Sequence, residues 1–155
     1  MRKFEVGVIS DTHDLLRPEA LKALDDADLI VHAGDVCRAE ILDELRRIAP
    51  VHAVRGNNDR GEWAKNLPVF EIVEVGKVLI YIIHDLKQMD LNSSNERINV
   101  VISGHSHRPY VEKRGRILYI NPGSAGRRRF KLPVTLARLT VIGEVVEAEI
   151  IKLIE

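Results

Sequence analysis

The chain has 155 residues, 45% hydrophobic and 30% charged, with 23 basic side chains balancing 23 acidic ones to zero formal charge. That is the composition of a soluble globular protein with room for one core, so a single domain over residues 1–155 is expected. Zero net charge excludes a global attraction to nucleic acid or to an anionic membrane, and any recognition of anions must be local.

No stretch approaches the ~20 apolar residues of a membrane span. The first residues, Met1-Arg2-Lys3, lead into an apolar run that Glu5 and Asp11 interrupt, too short for the apolar region of a signal peptide. The one cysteine, Cys37, excludes an intrachain disulfide and suits a reducing compartment, so a cytoplasmic location is expected. Cys37 itself reads as a small buried apolar side chain.

Taken in chain order, Lys3 to Ile9 is a β-branched apolar run that predicts a buried strand, ended by Ser10-Asp11-Thr12-His13. Pro18 suits a first helical position, and Ala20, Leu21 and Leu24 follow at helical spacing. Residues 29–31 predict a second strand, ended by His32-Ala33-Gly34-Asp35. Ile41, Leu42, Leu45 and Ile48 form an apolar stripe, predicting an amphipathic helix over 39–48 that Pro50 closes. Residues 51–54 make a third strand, ended by Arg55-Gly56-Asn57-Asn58-Asp59. This alternation points to parallel strands with right-handed crossovers.

The second half reads differently. Residues 69–75 and 78–83 flank Gly76-Lys77 as a hairpin, and 100–102 and 117–120 are short buried strands. A closing hairpin over 135–141 and 144–151 turns at Gly143. The polar stretch 88–99 reads as a flexible segment. The fold class expected is α/β with mixed sheets.

Metal-capable side chains gather where strands stop: Asp11 and His13, Asp35, Asn57, His84, and His105 with His107. Ligands of open α/β sheets bind outside the carboxyl ends of the strands, and seven oxygen and nitrogen donors converging there read as a metal site. Gly34, Gly56 and Gly104 adjoin these donors, as expected where the backbone turns tightly. Taken alone, each donor has a plainer reading; Asn57, for instance, would suit a left-handed turn. His32 and His52 lie within strands and are assigned to structure.

Ser10-Asp11-Thr12-His13, Gly34-Asp35, Gly56-Asn57-Asn58-Asp59, His84 and Gly104-His105-Ser106-His107 together resemble the ordered motifs of the calcineurin-like metallophosphoesterases. The small size and Asn121-Pro122-Gly123-Ser124 resemble the family's compact bacterial and archaeal phosphodiesterase branch. The resemblance implies two β-sheets packed as a sandwich flanked by helices. It implies two divalent cations, one held by Asp11, His13 and His107 and the other by Asn57, His84 and His105, with Asp35 bridging both. Oxygen and imidazole donors suit manganese first, with iron, zinc or nickel as alternatives. A hydroxide shared by the two cations would attack phosphorus in line, with phosphodiesters favoured over phosphomonoesters. Ser10 and Ser124 are then structural, since no covalent nucleophile is needed.

Two positions depart from the family pattern. After the ligand asparagine the family has histidine, or cysteine in some small members, where this chain has Asn58. An amide donates a hydrogen bond to phosphate but cannot protonate a leaving group, so Asn58 and Asp59 are catalytic candidates expected to favour esters with good leaving groups. Asp85 stands where the family has glycine, and reads either as a carboxylate that orients a ligand or as an exposed loop residue. The segment between Asp85 and Val100 is shorter than usual, which would open one wall of the cleft.

The basic run after the Asn-Pro-Gly-Ser turn reads first as a solvated surface stretch; if it grips a substrate phosphate, Arg127, nearest the turn, is the candidate. The expected partner is a small phosphate ester; the exposed edges of the closing hairpin leave a homo-oligomer open. The rival readings are a non-catalytic interaction scaffold that keeps the metal site, and a nucleic-acid-binding module built on the arginines, against which zero net charge and 5% aromatics weigh.

Overall fold

Runs of valine, isoleucine and leucine bounded by polar turns build ten strands, in a computed structural model that describes residues 2–90 and 97–155. Strands β1 (Lys3–Ile9), β2 (Leu29–His32) and β3 (Val51–Ala53) run parallel, linked by helices α1 (Pro18–Ala23) and α2 (Ala39–Arg46). Pro18 opens α1 as expected, and α2 buries Ile41, Leu42 and Leu45. A hairpin of β9 (Thr135–Ile142) and β10 (Val145–Lys152) adds antiparallel to the free edge of β1. The first sheet therefore has the order β10-β9-β1-β2-β3.

The second sheet has the order β4-β5-β6-β8-β7. Its strands are β4 (Phe70–Val75), β5 (Val78–Ile83), β6 (Ile98–Ile102), β7 (Tyr110–Arg114) and β8 (Ile117–Asn121). β5, β6 and β8 are parallel, with antiparallel strands at both edges. Strand β7 has no counterpart in the sequence reading. Its residues Val111-Glu112-Lys113-Arg114 are all exposed, so it carries no apolar alternation, and its charges suit an edge strand. Of the stretch 88–99 read as flexible, 91–96 lie outside the described residues; the chain before them makes a 3₁₀ turn (Leu86–Gln88), and β6 begins at Ile98.

Alternation along the strands decides the layers. Val6, Val8, Val31 and Ala33 of the first sheet face Val78, Ile80, Ile82, Val100 and Ile102 of the second in a dry inter-sheet core. Ile9, Ile30 and Leu136 point the other way, onto Leu24, Ile41, Leu42 and Leu45 of the helix layer. Tyr81, Ile83, Val101 and Tyr119 line the outer face of the second sheet with Leu86 and Met89. The expected sandwich of two mixed sheets is present, and among the described residues its α-helices cover the first sheet only. No helix of the described residues is long and apolar enough to cross a membrane.

Candidate metal centre

The parallel strands of both sheets stop at one edge, and the loops that leave them stay paired. Asp11 N–H donates to Gly34 O (3.0 Å) and His13 N–H to Asp35 O (3.0 Å), which holds the loops after β1 and β2 together. Gly104 N–H donates to His84 O (2.9 Å), joining the loops after β6 and β5. Across the sandwich, His84 Nδ1 donates to Ala33 O (2.8 Å). All seven sequence-predicted donors converge there.

Asp11 lies at the bottom. Its Oδ2 accepts from Ser10 Oγ (2.7 Å) and from His105 N–H (3.0 Å). Its Oδ1 is buried with no hydrogen-bond partner among the described residues. That bare oxygen faces three imidazole nitrogens, Nε2 of His107 at 3.4 Å, of His13 at 3.6 Å and of His84 at 4.0 Å. Nε2 of His13 and of His107 are only 3.3 Å apart.

Asp35 occupies the middle, with Oδ2 3.4 Å from Nε2 of both His13 and His84. His84 uses its Nδ1 proton on Ala33, so in the neutral ring its Nε2 lone pair faces Asp35, Asn57 Oδ1 (3.0 Å) and His105 Nδ1 (3.3 Å). Asn57 Oδ1 is also 3.2 Å from His105 Nδ1. Electron pairs from carboxylate, amide and imidazole thus point at common space, and an unpaired buried carboxylate oxygen is costly unless a cation meets it. The donor set fits divalent cations: Asp11, His13 and His107 form one group, and Asp11, Asp35 and His84 an overlapping second.

The electrostatics agree. Burial alone would raise Asp11, but His107, His13, His84 and Ser10 outweigh it and hold its carboxyl far below the usual range. Burial opposes ionisation of Asp35 too, yet His84 and the Asn58 amides bring it down to about 2. Burial would lower His84, but Asp35 and Asp11 raise it overall. Both carboxylates are therefore ionised and available.

The glycines serve mainly close approach. A Cβ at Gly56 would overlap the Asp35 carboxylate, and one at Gly104 would overlap Ser10 Oγ. Gly34 alone of the three needs the left-handed region, at φ +102°. The tight turning falls on the donors instead. Of eight non-glycine residues with positive φ among the described residues, five are Asp11, His13, Asp35, His105 and His107. Asn57, the residue for which the sequence suggested such a turn, is not among them. Strain clustered at a site is held there by the surrounding structure.

Around this cluster, Asp59 is buried and its carboxylate accepts three backbone N–H groups, of Asp35 (3.0 Å), Gly56 (2.8 Å) and Cys37 (2.8 Å). Asn58 turns to Asp35, donating from its backbone N–H (2.8 Å) and from Nδ2 (2.9 Å). Asn121 Nδ2 reaches Gly104 O (3.0 Å), and Ser124 Oγ reaches Asp11 O (3.0 Å), so the Asn-Pro-Gly-Ser turn braces two donor loops. Asp85 Oδ1 accepts from Lys87 N–H (3.1 Å) while Oδ2 stands 4.0 Å from His105 Nε2. Arg127 is exposed, its Nε 3.7 Å from Asp14 Oδ1. Cys37 is half-buried rather than buried, with Sγ 3.9 Å from His13 Nδ1. Burial and then the neighbouring carboxylates push its thiol up to about 12, so it stays protonated.

His32 is fully buried, as its assignment to structure requires. Gly34 N–H donates to its Nδ1 (3.1 Å), so Nε2 carries the proton and gives it to Thr12 Oγ1 (3.1 Å), which donates in turn to Val36 O (3.1 Å). This relay behind the donors ties the loop after β1 to the loop after β2. One groove is lined by a candidate donor, and a second by the residue that follows another. The first, of about 480 Å³, includes Asp85, Lys87, His105 and Tyr110. The other, of about 540 Å³, lies between Arg108, one residue past His107, and Phe130, Lys131 and Leu132.

A two-sheet sandwich with an imidazole–carboxylate cluster at the strand ends defines the metallophosphoesterase class. Residues 4–144 match the calcineurin-like phosphoesterase superfamily domain, and the chain belongs to that family, whose members depend on divalent metals. It is a hydrolase of phosphoric ester bonds. The chain is 36% identical to a probable metallophosphoesterase of Methanothermobacter thermautotrophicus, over 95% of this chain and 91% of that one. It is 30% identical to a phosphodiesterase of Methanocaldococcus jannaschii, over 77% and 82% of the two chains. Among solved structures, an archaeal phosphodiesterase superposes with a TM-score of 0.76 at 26% identity, over 95% of this chain and 99% of that one. The vacuolar protein sorting 29 protein of Cryptosporidium parvum shares the fold, with a TM-score of 0.76 at 19% identity over 97% of each chain.

Proposed function

We propose that the chain hydrolyses phosphodiesters in preference to phosphomonoesters, at a centre of two divalent cations. Asp11, His13 and His107 would hold one and Asn57, His84 and His105 the other, with Asp35 shared. The observation that carries this reading is Asp35 Oδ2, which lies 3.4 Å from Nε2 of His13 in the first group and of His84 in the second. Oxygen and imidazole donors favour manganese, with iron, zinc or nickel as alternatives. Cations in such a pair supply Lewis acidity to phosphoryl oxygens and lower the pKa of water.

The protein's own groups do the rest. Displacement at phosphorus forms a bond to the incoming oxygen as the bond to the leaving oxygen breaks, and the leaving oxygen then needs a proton. Asn58 cannot provide one near neutral pH, and its amide is engaged with Asp35. Asp59, by clamping the N–H groups of Asp35, Gly56 and Cys37, fixes where the Asp35 and Asn57 loops stand. Arg127 is free to swing from Asp14 onto a phosphoryl oxygen, since an exposed ion pair at 3.7 Å holds it weakly. A diester keeps a second alcohol on phosphorus, and the groove lined by His105 supports that substrate class by offering room for it. The phosphodiesterase relatives support it as well.

The test is hydrolysis of bis(p-nitrophenyl) phosphate by metal-stripped protein, with and without manganese, beside an Asp35→Asn variant. Turnover that needs metal and disappears in the variant is expected. Metal binding with no turnover across a panel of cations would overturn the hydrolytic reading and favour a scaffold.

A further inference from the structure

A neutral imidazole has one lone pair and one N–H, so a histidine binds a cation only through the nitrogen that lacks the proton. What meets the nitrogens turned away from the cluster therefore matters. His84 Nδ1 lies 2.8 Å from Ala33 O, and His13 Nδ1 lies 3.9 Å from Cys37 Sγ. His107 Nδ1 is buried with no hydrogen-bond partner among the described residues. His105 differs in two ways. It presents Nδ1 rather than Nε2 to the cluster, 3.2 Å from Asn57 Oδ1 and 3.3 Å from His84 Nε2. Its other nitrogen, Nε2, faces a carboxylate, Asp85 Oδ2, at 4.0 Å.

The Asp85 carboxylate is aimed by its own turn. Asp85 caps the 3₁₀ turn Leu86–Gln88, where Oδ1 accepts from Lys87 N–H (3.1 Å), and this leaves Oδ2 toward the ring. His105 is held from the other side, its backbone N–H donating to Asp11 Oδ2 (3.0 Å). The two side chains are 26% and 47% exposed, so packing locks neither, and an approach of about 1 Å makes the contact a hydrogen bond. The competing arrangement also has a partner at hand: a proton on Nδ1 would be accepted by Asn57 Oδ1 and would block the lone pair.

Resting on the assignment of His105 to the second cation above, we propose that Asp85 is a positioning residue for that cation. It accepts the Nε2 proton of His105 and so keeps the Nδ1 lone pair directed at the metal. A carboxylate on the outer nitrogen of a ligand histidine fixes the tautomer, steadies the ring and makes the ligating nitrogen more basic.

The experiment reads the tautomer of His105 in metal-free protein by long-range ¹H–¹⁵N correlation spectra at pH 8, where an ordinary histidine is neutral. The wild type is expected to carry the proton on Nε2. Asp85→Asn keeps a carbonyl oxygen for Lys87 N–H and turns its NH2 toward the ring, so it should move the proton to Nδ1. In calorimetric titration with manganese, the same variant should weaken the second site about tenfold. In a His105→Ala background, Asp85→Asn should change manganese affinity by less than about twofold. A wild-type proton on Nδ1, or a tautomer that Asp85→Asn leaves unchanged, overturns the proposal. So does a tenfold loss that persists in the His105→Ala background, which would assign Asp85 a through-space charge effect. If the wild type takes up one manganese ion or none, the two-cation reading has failed, and the tautomer alone decides. A proton that moves from Nε2 to Nδ1 in Asp85→Asn would then uphold the hold of Asp85 on His105, and one that stays would overturn it.

Discussion

Asn58 and His32 show how single side chains govern this site, one in front of the donors and one behind. Asn58 spends both its amides on Asp35, where a histidine would place an ionisable ring. Asn58→His is therefore expected to raise turnover of alkyl phosphate esters by about 10²-fold, the scale of general-acid assistance, with a much smaller gain for aryl esters. Phosphate release from glycerol phosphate against p-nitrophenyl phosphate reads this out, and equal gains on the two would sink the argument. His32 is a matter of stability. Burial lowers it from 6.5 to about 4, so between those values the unfolded chain binds a proton that the folded chain does not. Its contribution is complete above pH 6.5 and is lost as pH falls toward 4, to a limit of about 3 kcal/mol. Urea midpoints at pH 7.5 and pH 5 should fall further apart in the wild type than in His32→Gln. At this scale the clustering of the candidate donors was legible, because each of them follows an apolar run. The left-handed backbone at Asp11, His13, Asp35, His105 and His107 was not, since aspartate and histidine tolerate that conformation better than most residues yet adopt it at few positions, and packing decides which.

Elements were legible in proportion to their burial. β1, β5 and α2 declared themselves because one face or both meet the core, and apolar periodicity records that. Edge strand β7 did not, because it pairs through its backbone while its side chains stay in water. The same logic sets the cost of change. Leu45 of α2 is fully buried against the first sheet, so Leu45→Ala should cost about 2–5 kcal/mol in urea denaturation. Val111→Ala on β7, more than a third exposed, should cost well under 1 kcal/mol in the same assay.

For the whole molecule, the cluster is where the two sheets are tied. Asp11, His13, Asp35 and Asn57 leave strands of the first sheet, whereas His84, His105 and His107 leave strands of the second. Cations bound there would bridge the layers, so manganese should raise the melting temperature, by about 2.7 kcal/mol of stability at a hundredfold excess over Kd. Chelator should reverse the rise, and Asp11→Asn should reduce it; scanning calorimetry with no metal-dependent shift would count against the assigned donors.

Residue type and order determined the chemistry. Strand-ending aspartates, histidines and asparagine, in one sequence, named the family and offered candidate donors before any contact was known. Tertiary structure decided what depends on distance between loops remote in sequence. It placed Asp35 equally far from His13 and His84, left Asp11 Oδ1 bare, and engaged the Asn58 amide. It also set Phe130 beside Arg108 across 22 positions of sequence. Local pattern records which residues are buried, but only the packing of two sheets fixes which of their loops meet.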